Sequence, residues 1–216
     1  MIGILLALQV NNWNELRKTK EKEKVILKEI ISDLIVNENN AQIRLMHTYD
    51  IGRDSIMKIF THVINHLENK LPYDSILSRH FALIHQLPGL NIKTSGYESL
   101  KSSGLDMIQN DSLRSNIGEY YTVTIESTKG IYTELRDDFY NYILKFPRTI
   151  FVTKMDKNQR RIQIPTNYAQ LLENVEYVES LKMFSGIYLI NLNETKEYLS
   201  KTKILREKME EYIDHN

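Results

Sequence analysis

The stretch VILKEIISDLI, residues 25–35, decides the fold of this chain. Its apolar residues recur at intervals that place them on one face of an α-helix with about 3.6 residues per turn. The same periodicity resumes over residues 43–67 and appears again over 113–146 and 178–205. Long helices that each carry one apolar face can bury those faces only against one another. We therefore predict an all-α fold, an antiparallel bundle of long helices with short capping helices.

Several local signals divide these helices. The run Asn37–Asn40 and Gly52 are weak points at which the first long helix is expected to bend, and Pro72 ends it. A short helix is expected over 74–86. Ser95 and Glu98 have the spacing of a capping box, which predicts the start of another short helix.

Two further signals lie in the second half of the chain. The long helix that begins at about residue 111 should end by Pro147, because proline cannot continue the hydrogen-bond ladder. Residues 149–164 then carry β-forming side chains around a polar turn, which indicates a possible small β-hairpin. A last long helix is expected over about 175–213.

The overall composition excludes several classes of function. The 216 residues include 28 basic and 28 acidic side chains, whereas general nucleic-acid binding needs an excess of positive charge. The chain has no cysteine, so disulfides and zinc–thiolate sites are absent. The glycine-rich phosphate loop, the Gly-x-Ser-x-Gly elbow and the His-Glu-x-x-His motif are also missing from the sequence. We expect no catalytic residues, no cofactor and no nucleic-acid partner.

The first 13 residues, MIGILLALQVNNW, indicate contact with a membrane. They are too few to cross a bilayer, because a helical span needs about 20 apolar residues. Either the segment lies in the membrane interface or it is the C-terminal part of a membrane helix; the first turns of a core helix are the alternative. The predicted organisation is an anchor over 1–13, a charged juxtamembrane stalk over 14–24 and a helical bundle over 25–216. The anchor residues are Ile2, Ile4, Leu5, Leu6, Leu8 and Trp13.

Two motifs resemble an uncharacterised bacterial family, catalogued as domain of unknown function 6090. They are IGILLALQVNNWNE at residues 2–15 and YESLKSSG at 97–104, the latter followed by DSLR at 111–114. Family members carry a basic segment and the first half of a membrane helix upstream, which this sequence lacks. The resemblance implies a single-pass anchor and an extracytoplasmic helical domain, and it implies no activity. The positive-inside rule would instead keep the basic residues after Trp13 in the cytoplasm.

Two groups of residues are candidate sites in the bundle. His62 and His66 are four residues apart on a predicted helix, so both could bind one metal ion, although structural roles are commoner for such pairs. A basic patch is opposed only by Asp156, and it either faces anionic lipid headgroups or is an ordinary solvated loop. The patch consists of Arg148, Lys154, Lys157, Arg160 and Arg161.

These observations favour a membrane-anchored helical bundle that binds or scaffolds a partner without catalysis of its own. The expected partners are membrane lipid at the N-terminus and a protein, which could be a second copy of this chain. Tyrosines crowded on the helix after residue 111 suit such an interaction surface. The alternative is a metal-dependent enzyme or a ligand-sensing bundle that uses His62 and His66.

Overall fold

The computed structural model describes residues 2–49 and 56–215, and the side chains of the first helix from Gln9 to Met46. This part of the chain is mostly helical and contains one two-stranded sheet, which confirms the predicted fold class. The helices are α1 (Ile2–Tyr49), α2 (Ile56–Glu68), α3 (Ile76–Ile84), α4 (Ser95–Ser103), α5 (Asp111–Glu119), α6 (Ile125–Asp138), α7 (Lys145–Thr149), α8 (Tyr168–Leu172) and α9 (Val175–His215). The strands are β1 (Phe151–Met155) and β2 (Arg161–Pro165).

The chain forms two compact units. The first contains residues 1–41, 91–126 and 198–216, and the second contains 42–90 and 127–197. Each unit has its own apolar core. The predicted anchor and stalk boundaries, at residues 13 and 24, both fall within α1, and they stay predictions.

In the first unit, α1 and the end of α9 are antiparallel. Tyr212 donates a hydrogen bond to Glu23 at 3.1 Å, while the earlier Arg206 of α9 contacts the later Glu38 of α1 at 2.5 Å. The core between these helices is lined by Leu27, Ile30, Leu34, Leu100, Ile117, Tyr198 and Met209. The centre of the apolar face predicted over residues 25–35 is thus buried, whereas Val25 and Ile35 at its ends are exposed.

In the second unit, the chain from the end of α6 to α7 runs antiparallel to the start of α9. Phe139, which precedes α7, lies 5.8 Å from Phe184 between ring centroids, and the later Phe146 lies 4.8 Å from the earlier Tyr177. Helix α2 joins this core through Phe60, whose ring is 5.9 Å from that of Phe184. Aromatic side chains therefore supply much of the contact between helices here.

The hairpin predicted over 149–164 is present, with β1 and β2 antiparallel and Phe151 paired with Pro165. Its turn is held by Asp156, whose carboxylate accepts hydrogen bonds from the backbone N–H of Asn158 at 2.8 Å and of Arg160 at 2.9 Å. These bonds and the Arg160 side chain lower the pKa of Asp156. The sheet packs against α3 and α7.

Helix α1 runs without interruption through Asn37–Asn40, from Ile2 to Tyr49, and the bend expected there stays a prediction. The asparagine side chains bond to residues outside the helix. The Asn37 side chain donates to the Lys93 carbonyl at 2.8 Å and accepts from the Lys93 N–H at 2.7 Å, and Asn40 donates to the Asn91 carbonyl at 3.1 Å. These asparagine side chains therefore hold the loop residues Asn91 and Lys93 against α1. Gly52, the other expected weak point, lies outside the described residues.

The long helix expected from about residue 111 runs through two π-helical turns, Tyr120–Thr124 and Phe139–Ile143, and ends before Pro147. The second π turn and Leu144 separate α6 from α7. Pro147 consequently lies in the first turn of α7, where its missing N–H removes no helical hydrogen bond. The π turn that ends this helix, and the short helix α7 that contains Pro147, are not visible in the sequence.

The start of α4 differs from the capping box predicted for Ser95 and Glu98. Thr94 precedes the helix and makes no side-chain cap. The cap comes from Asp33 on α1, whose carboxylate accepts hydrogen bonds from the Gly96 N–H at 2.7 Å and from the Ser95 hydroxyl at 2.8 and 2.9 Å. Lys93 Nζ lies 3.8 Å from the same carboxylate. A tertiary contact replaces the local cap.

This cap requires glycine at position 96. A Cβ there would lie 2.6 Å from the Ile30 backbone nitrogen and 2.8 Å from the Glu29 carbonyl carbon. Both neighbours are backbone atoms of α1, which cannot move aside as a flexible side chain could. The close approach of α4 to α1 is therefore possible only because Gly96 has no side chain.

We predict that Gly96→Ala lowers the free energy of unfolding by about 2–3 kcal/mol, since overpacking against backbone costs this much. The matched control is Gly118→Ala in α5, where an added Cβ meets no atom within 4 Å. That change should be neutral or raise stability by up to about 1 kcal/mol, because alanine favours the helix. Urea denaturation measures both variants. Equal stability of the two would contradict the predicted close contact.

Candidate functional site

The N-terminal third of α1 exposes apolar side chains where the anchor is predicted. Trp13 is 65% exposed and Leu16 is 63% exposed, and both lie on a helix that is already formed from Ile2 onward. The Arg17 guanidinium carbon lies 5.7 Å from the centre of the Trp13 ring, a cation–π contact. The side chains of the anchor residues Ile2, Ile4, Leu5, Leu6 and Leu8 lie outside the described residues.

The predicted juxtamembrane stalk, residues 14–24, is helical and strongly charged. Lys18 contacts Glu15 at 3.0 Å and Arg17 contacts Glu21 at 3.9 Å, both as pairs on the helix surface. Such exposed pairs contribute little to stability. Within the described residues, no helix is both long enough and apolar enough to cross a bilayer.

The predicted metal ligands, His62 and His66, lie on α2 with their ring centroids 5.0 Å apart. The structure adds a third histidine, since His80 of α3 places its Nδ1 2.9 Å from the Nδ1 of His62. His66 instead directs Nε2 at the Pro72 carbonyl, 3.0 Å away. Among the described residues, no cluster of three or more histidine, aspartate or glutamate side chains has the geometry of a metal site. Metal binding by His62 and His66 stays a prediction.

The five residues of the predicted basic patch differ in their exposure to solvent. Arg148, Lys154, Lys157 and Arg160 are exposed, with Arg160 paired to Asp156 at 2.9 Å. Arg161 is half-buried, and its backbone carbonyl accepts a hydrogen bond from Arg79 of α3 at 2.9 Å. Burial and the nearby charge of Arg160 lower the pKa of Arg79. Contact of this patch with lipid headgroups stays a prediction.

A buried polar cluster behind the hairpin was not identified from the sequence. It is centred on Gln163 of β2, whose amide nitrogen donates to the Phe81 carbonyl at 3.2 Å and to His85 Nδ1 at 2.6 Å. The amide oxygen accepts from Arg161 at 2.9 Å and from Thr153 at 3.2 Å. His85 Nε2 and the Tyr177 hydroxyl are 2.9 Å apart. The hydrogen-bonded partners His85 and Tyr177 are 92 residues apart in the chain, so no sequence spacing could reveal them.

This environment keeps the His85 imidazole neutral. Burial lowers its pKa from 6.5 to about 4, and the positive charge of Arg161 acts in the same direction. Burial likewise raises the pKa of Tyr177. Both side chains are therefore uncharged at neutral pH and serve as hydrogen-bonding groups that join α3, β2 and α9.

We predict that His85 makes the protein less stable in acid. Its folded-state pKa of about 4 lies below the ordinary value of 6.5, so the unfolded chain binds the proton more tightly. The stabilisation is complete above pH 6.5 and is lost as the pH falls towards 4. Between pH 7.5 and 5 the loss should be about 2 kcal/mol from this group. Urea denaturation at both pH values should show a shallower pH dependence for His85→Gln than for the wild-type protein; an identical dependence would contradict the assignment.

The tyrosines that crowd the helix after residue 111 differ in their environments. Tyr120 and Tyr121 lie in the core of the first unit, where burial raises the pKa of each. Tyr140 and Tyr142 are exposed in the second unit. Tyr132 is half-buried, and its ring centre lies 4.9 Å from the Arg44 guanidinium carbon. The partner surface that the sequence suggests stays a prediction.

Comparison with known proteins gives no relative: no family model, no curated protein and no solved structure matches this chain. The resemblance of residues 2–15 to the family of unknown function 6090 stays a prediction.

Proposed function

We propose that this protein is a membrane-anchored helical bundle that binds or scaffolds a partner at the bilayer surface without catalysis. One observation carries the proposal. Helix α1 begins at Ile2, so the apolar run of residues 2–10, the exposed Trp13 and the buried face of residues 26–34 belong to a single helix. An anchor joined to a folded unit by uninterrupted helix fixes the distance between that unit and the membrane.

The order of residue types along α1 supports a membrane location. An apolar run is followed by a tryptophan and then by Arg17, Lys18, Lys20, Lys22 and Lys24. Tryptophan prefers the membrane–water interface, and basic side chains next to it contact the headgroups. The first described residues of α1 that are buried are Glu23, within this basic stretch, and Ile26, just after it.

The anchor is tested by membrane fractionation of the full chain. We expect the wild-type protein to sediment with membranes and to resist both high salt and an alkaline wash. The double variant Leu5→Glu/Leu8→Glu should move to the supernatant, because acidic side chains are costly in the bilayer. The matched control, Val25→Glu/Met183→Glu, places the same charges at exposed apolar positions of α1 and α9 and should stay in the pellet. Wild-type protein in the supernatant would overturn the proposal.

The side of the membrane is tested by chemical labelling. The proposed extracytoplasmic location of the helical units follows the family resemblance. The chain contains no cysteine, so Lys157→Cys in the exposed hairpin turn introduces a single thiol. We expect a membrane-impermeant maleimide to label this variant in intact spheroplasts as fully as in lysed ones. Labelling only after lysis would place the units in the cytoplasm, as the positive-inside rule predicts.

A further inference from the structure

A groove of about 470 Å³ lies in the first unit between α1 and the end of α9. Its apolar wall contains Trp13, Leu16 and Ile213, and its charged rim contains Arg17, Lys20 and Lys24. This volume falls in the range of about 300–1,000 Å³ that small-molecule sites occupy. The groove combines an apolar floor with cationic edges, the two features that recognise an anionic amphiphile.

The apolar wall continues the buried face of α1 beyond the point where α9 covers it. Leu27 is fully buried, whereas Leu16, eleven residues earlier on the same face, is 63% exposed. Trp13 lies one turn further towards the N-terminus and is equally exposed. Side chains of this size on a core-facing stripe indicate an apolar occupant.

The charges around the groove leave two ammonium groups to face an occupant. Of the two acidic residues, Glu21 pairs with Arg17 at 3.9 Å. Glu23 is buried and accepts hydrogen bonds from the Gln109 N–H at 2.8 Å and from the Tyr212 hydroxyl at 3.1 Å. Lys24 has only a 3.4 Å hydrogen bond to the Ile213 carbonyl, and Lys20 makes no ion pair among the described residues.

We infer that this groove binds one anionic phospholipid. The phosphate lies between the Lys20 and Lys24 ammonium groups, and the glycerol and first acyl carbons pack against Trp13 and Leu16. Helical side chains lean towards the helix N-terminus, so both lysines extend towards Trp13 and the apolar run before it. The inference rests on the proposed function, because α1 must bring the groove to a bilayer for a phospholipid to enter it.

A bilayer lipid fits these features better than an acidic protein segment. The groove begins at Trp13, only three residues or about 4.5 Å after the apolar run ends at Val10. Its lysines therefore lie beside the headgroups if the apolar run enters the membrane. An acidic peptide would satisfy the lysines but would leave the Trp13 and Leu16 faces without an apolar partner.

The test uses Trp13, the only tryptophan of the chain, as the reporter. The full chain is mixed with phosphatidylcholine vesicles that contain a small fraction of either brominated phosphatidylglycerol or brominated phosphatidylcholine. We expect the anionic quencher to act at about tenfold lower mole fraction than the zwitterionic one, since two basic side chains near an anionic lipid favour it by at least this factor. Lys20→Gln/Lys24→Gln should abolish the difference. Lys22→Gln/Lys28→Gln, which removes the same charge from α1 outside the groove, should preserve it.

Three outcomes would overturn the inference. Equal quenching by the two lipids means that the groove has no preference for the anion. Equal loss of preference in both lysine variants means that the whole charged helix attracts lipid. Quenching by neither lipid means that protein, such as a second copy, covers the groove. Membrane anchoring is measured separately, by sedimentation of the chain with pure phosphatidylcholine vesicles. A chain that sediments with these vesicles but shows no preference for the anionic lipid contradicts only the lipid-site inference.

Discussion

The first unit depends on the carboxylate of Asp33, which caps the start of α4 from the side of α1. Helix α4 has nine residues, and a helix of this length is not stable by itself in water. Its first N–H groups need acceptors, and Asp33 accepts a hydrogen bond from the Gly96 N–H at 2.7 Å and from the Ser95 hydroxyl at 2.8 and 2.9 Å. Gly96 lets the two backbones touch. Loss of this contact would leave the Asp33 carboxylate buried without its hydrogen bonds and the first N–H groups of α4 without an acceptor. Both changes would lower the stability of the fold.

Once α4 is fixed, its position determines the aromatic packing beside it. The Tyr97 ring stacks on Tyr121 with centroids 4.1 Å apart, and Tyr121 meets Tyr120 edge to face at 5.0 Å. The Tyr120 hydroxyl then lies 2.8 Å from Thr202 Oγ1 on α9. Adjacent side chains diverge by about 100° on a regular helix, so two consecutive buried tyrosines are hard to accommodate. The π turn at Tyr120–Thr124 is where the chain does so, without ending the helix.

The sequence predicted the features that arise within one helix or hairpin. The burial of Ile26, Ile30 and Leu34 at helical spacing and the hairpin predicted over 149–164 both follow from nearby residues. Features set by distant partners were missed or misassigned. Nothing in the sequence indicates that Asn37 bonds the backbone of Lys93, because Lys93 lies 56 residues away in the chain. His85 gave no signal because Gln163 and Tyr177 lie 78 and 92 residues away.

The polar groups whose geometry folding explains differ from those of the proposed lipid groove. Asp33 is committed to the α4 terminus, Asp156 to its own turn, and His85 to Gln163 and Tyr177. Each of these groups has a geometry that folding alone explains, since buried polar atoms must find partners within the protein. Trp13 and Leu16 differ from these groups because they are large apolar side chains exposed to solvent. They line the same groove as Lys20 and Lys24. The proposed bilayer contact would match both the apolar and the charged parts of that combination.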